Sequence, residues 1–132
     1  MDLNIGDSVF VTEVPGSSLE AIALFSIATE DPNPIHTDPG FARECGFDQV
    51  IQQGPMTTAY FAQLLAKKFG ADRLVSLDIA FTAPVFPQEP MTLSSKVASI
   101  EGGIVQLDLL AVKAGGVQTA KGVALARLEG AA

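Results

Sequence analysis

The stretch "GPMTTAYFAQLLAKKFG", residues 54–70, decides the fold because it predicts one long, mostly apolar helix. Pro55 stands just inside its start and Gly70 just beyond its end, the positions that proline and glycine favour at helix termini. Apolar side chains occupy most of its faces, which is typical of a helix covered on several sides. Its clearly polar residues are Gln63, Lys67 and Lys68. We therefore predict a central helix that the rest of the chain surrounds.

Downstream of this helix the hydrophobic period changes to two, which is typical of strands. In "RLVSLDIAF" we expect one face to carry Val75, Leu77, Ile79 and Phe81. Glycine-rich stretches at 101–103 and 114–116 predict hairpin turns. We predict a meander of at least four antiparallel strands, in the segments 73–81, 91–100, 103–113 and 117–129.

Upstream of the helix, "DSVFVTEV" (7–14) predicts a short strand, and residues 17–30 predict a second helix. Ser17 and Glu20 have the spacing of a capping box. The face of this helix that we expect to be buried carries Ala21, Leu24, Phe25 and Ala28. Together the elements predict a single α+β domain over residues 1–132, in which a curled antiparallel sheet wraps around a long central helix.

Composition limits the functional classes. The 132 residues include 48% hydrophobic side chains, and no apolar run approaches the roughly 18–20 residues that span a bilayer, so we expect a soluble domain without a membrane partner. A net charge of −7 with eight scattered basic residues argues against nucleic-acid binding. The N-terminus does not resemble a secretion signal, so we expect a cytoplasmic location. Cys45 is the single cysteine, which excludes an internal disulfide and favours an inert thiol.

The segment "TEDPNPIHTDPGF", residues 29–41, contains the chain's one histidine, His36. Its prolines predict an extended or turning loop over 31–38, with a short helix beginning near Asp38. Asp31 lies five positions before His36, close enough for both side chains to converge on one water molecule. Histidine exchanges protons near neutral pH, and a neighbouring carboxylate can orient it or take a proton itself. The pattern therefore indicates an acid–base pair.

Two other interpretations of this loop remain open. Asp-Pro and Asn-Pro are ordinary turn formers, and a lone histidine is often structural. A purely structural loop explains residues 31–34, but it does not explain why His36 and Asp38 share the same turn. A metal site is disfavoured because no third ligand stands at regular spacing, so we expect no metal.

The sequence "DPNPIH" (31–36) resembles the D-x-N-P-x-H signature of the MaoC-like, (R)-specific enoyl-CoA hydratases, which are hot-dog proteins that add water to trans-2-enoyl thioesters. The similarity covers nearly the whole chain, including the glycine-led central helix. It also includes "FTAPVFPQEPMTLSSKV" (81–97), which resembles the family's F-x-x-P-V region. The resemblance implies a hot-dog fold. Because such a sheet leaves an exposed edge, we expect a homodimer or a higher oligomer of dimers.

The resemblance also implies roles for individual residues. Asp31 and His36 hold the attacking water, one removing its proton while the other supplies a proton to the substrate α-carbon. The backbone N–H of Gly54 binds the thioester oxygen, helped by the helix dipole. Asn33 shapes the loop and supports the pair, or is a simple turn asparagine. The side chains that either line an acyl pocket or form plain core are Tyr60, Phe61 and Leu65.

Two departures from the family's pattern concern the helix start and the coenzyme. Gln53 and Pro55 flank Gly54 where family members commonly carry His-Gly-Met, and Pro55 has no N–H to donate. Thr82 and Ala83 stand where the family often has a basic residue. Other candidates for phosphate contacts are Lys67, Lys68, Arg73, Lys96, Lys121 and Arg127. Lys67 and Lys68 have an alternative interpretation, in which they stabilise the C-terminus of the helix.

The leading hypothesis is therefore an enoyl-CoA hydratase, reversible as a dehydratase, that uses a coenzyme A thioester as substrate and no other cofactor. A thioesterase is an alternative, since fold alone does not determine chemistry. A further alternative is a non-catalytic or partner-dependent subunit that forms a heterodimer with another hot-dog chain. The acyl group stays open, as does the choice between coenzyme A and acyl carrier protein. The acidic surface disfavours the latter, itself acidic.

Overall fold

The structure, a computed structural model, describes residues 2–128. Met1 and residues 129–132, which belong to the predicted 1–132 domain and include the end of the predicted strand 117–129, lie outside the described residues. In the described residues no helix has both the length and the apolar character needed to cross a membrane. The main elements are β1 (Ser8–Val14), α1 (Leu19–Ala28), α2 (Pro39–Glu44), α3 (Gly54–Phe69), β2 (Leu74–Phe81), β3 (Met91–Glu101), β4 (Ile104–Lys113) and β5 (Val117–Arg127).

The five strands form one antiparallel sheet in the order β1-β3-β4-β5-β2. The hairpins predicted at 101–103 and 114–116 are confirmed, because β3, β4 and β5 follow one another as neighbours. The prediction that β2 begins the same meander is wrong, since β2 pairs with β5 at the far edge. Residues 82–90, which connect β2 to β3, contain three prolines and are too long for a tight hairpin.

Helix α3 begins and ends as the sequence predicts, with Gly70 as its C-terminal cap at a φ of +96°. Glycine adopts this conformation without the steric cost that other residues incur. Phe61, Leu65 and Phe69 of α3 meet the inward-facing side chains of the strands in one core, so the sheet wraps around the helix as predicted. The buried residues of α3 are Met56, Thr57, Phe61, Leu65 and Phe69.

Helix α1 differs from the prediction at its start and in its buried face. Ser18, not Ser17, is the N-cap, and its side chain accepts a hydrogen bond from the Ala21 N–H at 3.0 Å. The buried residues are Ile22 and Ser26. Because apolar residues occur on nearly every side of α1, periodicity cannot select the inward face. None of the predicted core residues is fully buried: Ala21, Leu24, Phe25 and Ala28.

The predicted inward face of β2 is confirmed in the middle of the strand, at Leu77 and Ile79, and is wrong at its two ends. A register shift between Leu74 and Ser76 breaks the alternation near its start. Val75, which lies within this shift, is 47% exposed, and Phe81 at the other end of the strand is 51% exposed. The side chains that pack against the core are Leu74, Leu77 and Ile79.

Candidate active site

The loop after α1 places Asp31 by backbone contacts. Glu30 adopts a φ of +54°, a left-handed conformation that is unfavourable for a residue with a side chain. This turn directs the Asp31 N–H back to the carbonyl oxygen of Ser26, at 2.9 Å. The predicted loop and following helix are confirmed: α2 begins after Asp38, whose side chain accepts hydrogen bonds at its N-terminus.

Asn33 shapes the segment between the two members of the predicted pair. Its side-chain oxygen accepts the Ile35 N–H at 3.1 Å and thereby caps the short 3-10 turn Pro34–His36. Its own backbone N–H donates to Oδ1 of Asp31, also at 3.1 Å. Asn33 therefore orients the carboxylate through its backbone and the histidine turn through its side chain.

The Asp31 and His36 side chains lie side by side. Oδ2 of Asp31 is 3.5 Å from Nε2 of His36, and their side chains are 33% and 10% exposed. The other ring nitrogen, Nδ1, is 2.8 Å from the carbonyl oxygen of Ile51. A carbonyl oxygen only accepts hydrogen bonds, so Nδ1 carries the proton. In the neutral ring Nε2 is then the free base, and it faces the carboxylate.

This tautomer limits what can stand between the two side chains. A neutral Nε2 and an ionised carboxylate are both acceptors, so they cannot bond to each other directly. A water molecule that donates one hydrogen to each atom satisfies both. When one group of the pair is protonated, that group becomes the donor. The arrangement can therefore bind water and move a proton to or from it.

Gly54 begins α3, and its N–H donates to no acceptor among residues 2–128. Gly54 and His36 line one cavity, whereas Asp31 faces a neighbouring depression beside α1. The first N–H groups of a helix lack partners within the helix, and the helix dipole favours negative charge there. A side chain fits at this position only if Phe81 moves, because a Cβ on residue 54 would lie 2.7 Å from the Phe81 ring. The absence of a side chain lets Phe81 pack against the helix start.

A cavity of about 330 Å³ connects the histidine to the helix N-terminus. The F-x-x-P-V region of the sequence contributes one wall of this cavity. That wall is attached to the segment before α3 by a hydrogen bond from the Gln52 N–H to the Val85 carbonyl oxygen, at 2.7 Å. The main lining residues are His36, Gly54, Thr57, Phe81, Val85 and Thr119.

The residues predicted as an acyl pocket or plain core lie in or against the core. Phe61 and Leu65 have no exposed surface and pack in the hydrophobic core, and Tyr60 packs against it. None of the three lines the cavity beside His36. Their positions correspond to the alternative interpretation, in which they are core residues.

The basic residues predicted as phosphate contacts are spread over the surface, and none of them lines the cavity. Lys67 and Lys68 lie in the last turn of α3, where their positive charges interact favourably with the negative end of the helix dipole. Arg73 donates to the Leu128 carbonyl oxygen at 3.0 Å. Lys96 and Lys121 line a separate groove on the face of the sheet turned away from α3, and Arg127 is exposed at the end of β5.

Cys45 is exposed. Among residues 2–128, no group of three or more histidine, cysteine, aspartate or glutamate side chains has a metal-binding arrangement. The expectation that the protein holds no metal stays a prediction.

Sequence reasoning missed two residues that support the site. The backbone carbonyl of Ile51 accepts a hydrogen bond from His36. Every residue has such a carbonyl, so the identity of residue 51 does not indicate this contact. Gln53, noted only as a departure from the family's pattern, is 1% exposed. A signal for it exists in "QVIQQGPM": an amide beside the start of a buried helix must find hydrogen-bond partners inside the protein.

Comparisons with known proteins identify a family and several relatives of this chain. A family model described as "MaoC like domain" matches residues 6–111. A mitochondrial 3-hydroxyacyl-(acyl-carrier-protein) dehydratase of Arabidopsis thaliana is 31% identical over 84 residues, which are 64% of this chain and 49% of that protein. An (R)-specific enoyl-CoA hydratase of Aeromonas caviae is 30% identical over 81 residues, 60% of each chain. The matched segments thus span about half to three fifths of these curated relatives.

Solved structures match over nearly the whole chain. The (R)-hydratase of A. caviae involved in PHA biosynthesis has a TM-score of 0.85 and 25% identity, covering 96% of this chain and 97% of that one. The ChsH1-ChsH2 complex of Mycobacterium tuberculosis has the same TM-score at 15% identity, covering 96% and 98%, and supports the fold alone. The predicted α+β hot-dog fold is confirmed.

Proposed function

The chain belongs to the MaoC-like domain family, and from this premise we propose that it is an (R)-specific enoyl-CoA hydratase. It adds water syn to trans-2-enoyl-CoA to give (R)-3-hydroxyacyl-CoA, and it catalyses the reverse dehydration. One observation carries the proposal: Oδ2 of Asp31 and Nε2 of His36 are 3.5 Å apart, and His36 lines the same cavity as Gly54, whose N–H has no acceptor within residues 2–128.

In the proposed reaction, Asp31 and His36 hold a water molecule between them. The pair enters this step with one proton. The group without it removes a proton from the water as the water oxygen bonds to the β-carbon, so the pair again holds one proton after the step. The electron pair of the double bond then moves toward the α-carbon and the thioester oxygen, and the other member of the pair supplies the proton that the α-carbon takes. Because both groups act from the same side of the substrate, water and proton add to one face.

The negative charge that develops on the thioester oxygen needs a donor. The N–H of Gly54 suits this role because it has no acceptor within residues 2–128 and lies at the positive end of the α3 dipole. Donors fixed in place before the reaction lower the barrier more than donors that must reorient. Since Pro55 has no N–H, Gly54 is the donor at the first turn that we assign.

A coenzyme A thioester is the substrate that we propose, and the reaction needs no further cofactor. The cavity of about 330 Å³ is within the range of small-molecule sites. The similarity to an acyl-carrier-protein dehydratase makes that carrier the alternative. We favour coenzyme A because a net charge of −7 opposes an acidic carrier. A cytoplasmic location completes the proposal.

For assembly we propose a homodimer that pairs the exposed edge strand β2 of each copy. Val75 and Phe81 on this strand are 47% and 51% exposed. A second copy paired at this edge would cover these apolar side chains. An exposed edge next to the site also favours the second candidate, a subunit that becomes active only beside another hot-dog chain. The similarity to the ChsH1-ChsH2 complex supports this candidate at the level of fold.

The proposal is tested by following the ultraviolet absorbance of the enoyl thioester with the purified chain. Short, medium and bulky trans-2-enoyl-CoA substrates are compared with acyl-carrier-protein thioesters, and the configuration of the product is determined. Loss of absorbance with formation of the (R)-alcohol supports the hydratase. Release of free thiol instead indicates a thioesterase. An inactive, folded dimer contradicts the homodimeric hydratase and leaves the partner-dependent subunit.

A further inference from the structure

Gln53 connects the start of α3 to α1. It occupies the N-cap position of α3, yet its side chain does not cap that helix. Instead its Nε2 donates two hydrogen bonds across to α1, one to the Ile22 carbonyl oxygen at 2.7 Å and one to Oγ of Ser26 at 2.8 Å. With 1% of its surface exposed, Gln53 makes this connection inside the protein.

The orientation of the Gln53 amide is forced. The Ile22 carbonyl oxygen only accepts, so the nitrogen of the amide must face it. The amide oxygen, Oε1, is then buried without a hydrogen-bond partner among the described residues. A buried acceptor without a donor destabilises the fold, so stability alone does not account for this amide.

Ser26 carries the connection onward to the acid–base pair. Its hydroxyl oxygen accepts from Gln53, while its carbonyl oxygen accepts the Asp31 N–H at 2.9 Å. Two hydrogen bonds and one peptide link therefore join the N–H of Gly54 to Asp31. Ile51, in the same segment, holds His36 through its carbonyl oxygen.

We propose that Gln53 is a positioning residue, which fixes Asp31 relative to the N–H of Gly54. The inference rests on the proposed hydratase function, in which the β-carbon must meet the acid–base pair while the thioester oxygen meets Gly54. These groups lie on separate elements, α1 with its loop and α3, and Gln53 bridges them. Because a misplacement of about 1 Å can lower a rate about 10²-fold, such a bridge acts on turnover.

The test compares Gln53→Leu with Gln52→Leu. Gln52 is a matched control: it is 6% exposed, it lines the same cavity, and within residues 2–128 its side chain donates to Thr57 of α3 alone. We expect Gln53→Leu to lower kcat about 10–100-fold with little change in KM, since it displaces reacting groups rather than removing a substrate contact. Gln52→Leu should lower kcat less. Equal losses in the two variants, or a change in KM alone, would overturn the assignment.

Ser26→Ala tests the path itself. This substitution removes one of the two hydrogen bonds that Gln53 donates and leaves the one to Ile22. Ser26→Ala should therefore lower kcat less than Gln53→Leu does. If both residues act through one path, adding Ser26→Ala to Gln53→Leu should cause little further loss. Fully additive losses would show that they act separately and overturn the proposal.

Hydrogen–deuterium exchange separates this inference from the proposed function. Gln53→Leu should speed exchange in residues 29–37, which include the Asp31 amide, whereas Gln52→Leu should not. Unchanged exchange overturns the positioning role even in an active enzyme. A wild-type chain without hydratase activity contradicts the proposed function. In that case hydrogen–deuterium exchange still tests whether Gln53 holds Asp31 in place. If Gln53→Leu does not fold, Gln53→Asn, which keeps the amide but shortens its reach, takes its place in each measurement.

Discussion

Two concave regions of this protein differ in size and in chemistry. The cavity beside His36 has a volume of about 330 Å³, whereas the groove on the outer face of the sheet, which Lys96 and Lys121 line, has about 880 Å³. The larger region contains no histidine and no helix N-terminus. The smaller one combines an imidazole nitrogen that faces a carboxylate with a backbone N–H that has no acceptor among residues 2–128. Convergent polar groups, rather than volume, therefore identify the candidate active site.

The two regions also arise differently from the sequence. In the outer groove Lys96, Asp108, Val123 and Asp78 stand in one row across four neighbouring strands, so strand alternation and register produce it. The smaller cavity joins three irregular segments: the 31–36 loop, the start of α3 and the stretch after β2. Matched substitutions in the two regions can test whether catalysis is confined to the cavity beside His36.

The largest expected contrast is between the acid–base pair and Asp108 of the outer groove. Asp31→Asn or His36→Ala should lower kcat for enoyl-CoA hydration about 10²–10⁴-fold, because positioned proton transfer is removed. Asp108→Asn, an identical chemical change on the outer face, should leave the rate unaltered. Steady-state kinetics, with circular dichroism to check folding, measure both. Near-wild-type rates in either pair variant would reject the assignment.

The next contrast concerns Leu65, for which the sequence allowed either an acyl pocket or core. Its side chain has no exposed surface, so Leu65→Ala should lower the free energy of unfolding by about 2–5 kcal/mol through the cavity left in the core. Val123→Ala in the outer groove, where 38% of the residue is exposed, should cost less. Urea denaturation measures both. A change in acyl-chain preference without a loss of stability would restore the pocket interpretation.

A smaller contrast is expected between two closely packed glycines. A Cβ at Gly54 would lie 2.7 Å from the Phe81 ring, a side chain that can shift, so Gly54→Ala should fold but reduce kcat about tenfold by displacing the helix start. A Cβ at Gly122 in the outer groove would lie 2.2 Å from the backbone oxygen of Asp78, which cannot shift without moving β2. Gly122→Ala should therefore destabilise the fold by about 1–3 kcal/mol.

Kinetics and thermal unfolding of the two glycine variants separate these effects. Phe81→Leu combined with Gly54→Ala should recover part of the lost rate, since a smaller side chain makes room for the Cβ. A Gly54→Ala enzyme with full activity would mean that the N–H at residue 54 tolerates displacement, which contradicts its proposed role.

The parts of the fold that were predictable have strong local signals. Proline and glycine mark both ends of α3, and Gly-Gly pairs mark the turns of the β3-β4-β5 meander. The face of α1 was not predictable, because apolar residues occur on nearly every side of that helix. Its buried residues, Ile22 and Ser26, accept hydrogen bonds from Gln53, which is distant in sequence. The partner of β2 was not predictable either, since strand pairing across a long connection depends on the whole sheet.

The same distinction applies to the candidate site. The spacing of Asp31 and His36 within a proline-stiffened loop brought them to attention, and the structure brings their side chains together. Their supports, the Ile51 carbonyl and the Gln53 amide, come from a segment distant in sequence. A backbone oxygen has no residue-specific signature, so this half of the site became visible only in three dimensions.

The smallest effect is expected from the lysines of the outer groove. Lys96 and Lys121 line the face of the sheet turned away from α3, on the opposite side from His36, so neither can hold the phosphates of a coenzyme bound in the cavity of the same chain. Lys96→Met and Lys121→Met should each change binding by no more than about 0.5 kcal/mol, as surface substitutions usually do, and should leave KM and its salt dependence near the wild-type values. A KM that rises severalfold and loses its dependence on salt would place coenzyme A in the outer groove instead. Because the comparison between the two regions assumes that substrate and chemistry share the smaller one, that result would break it.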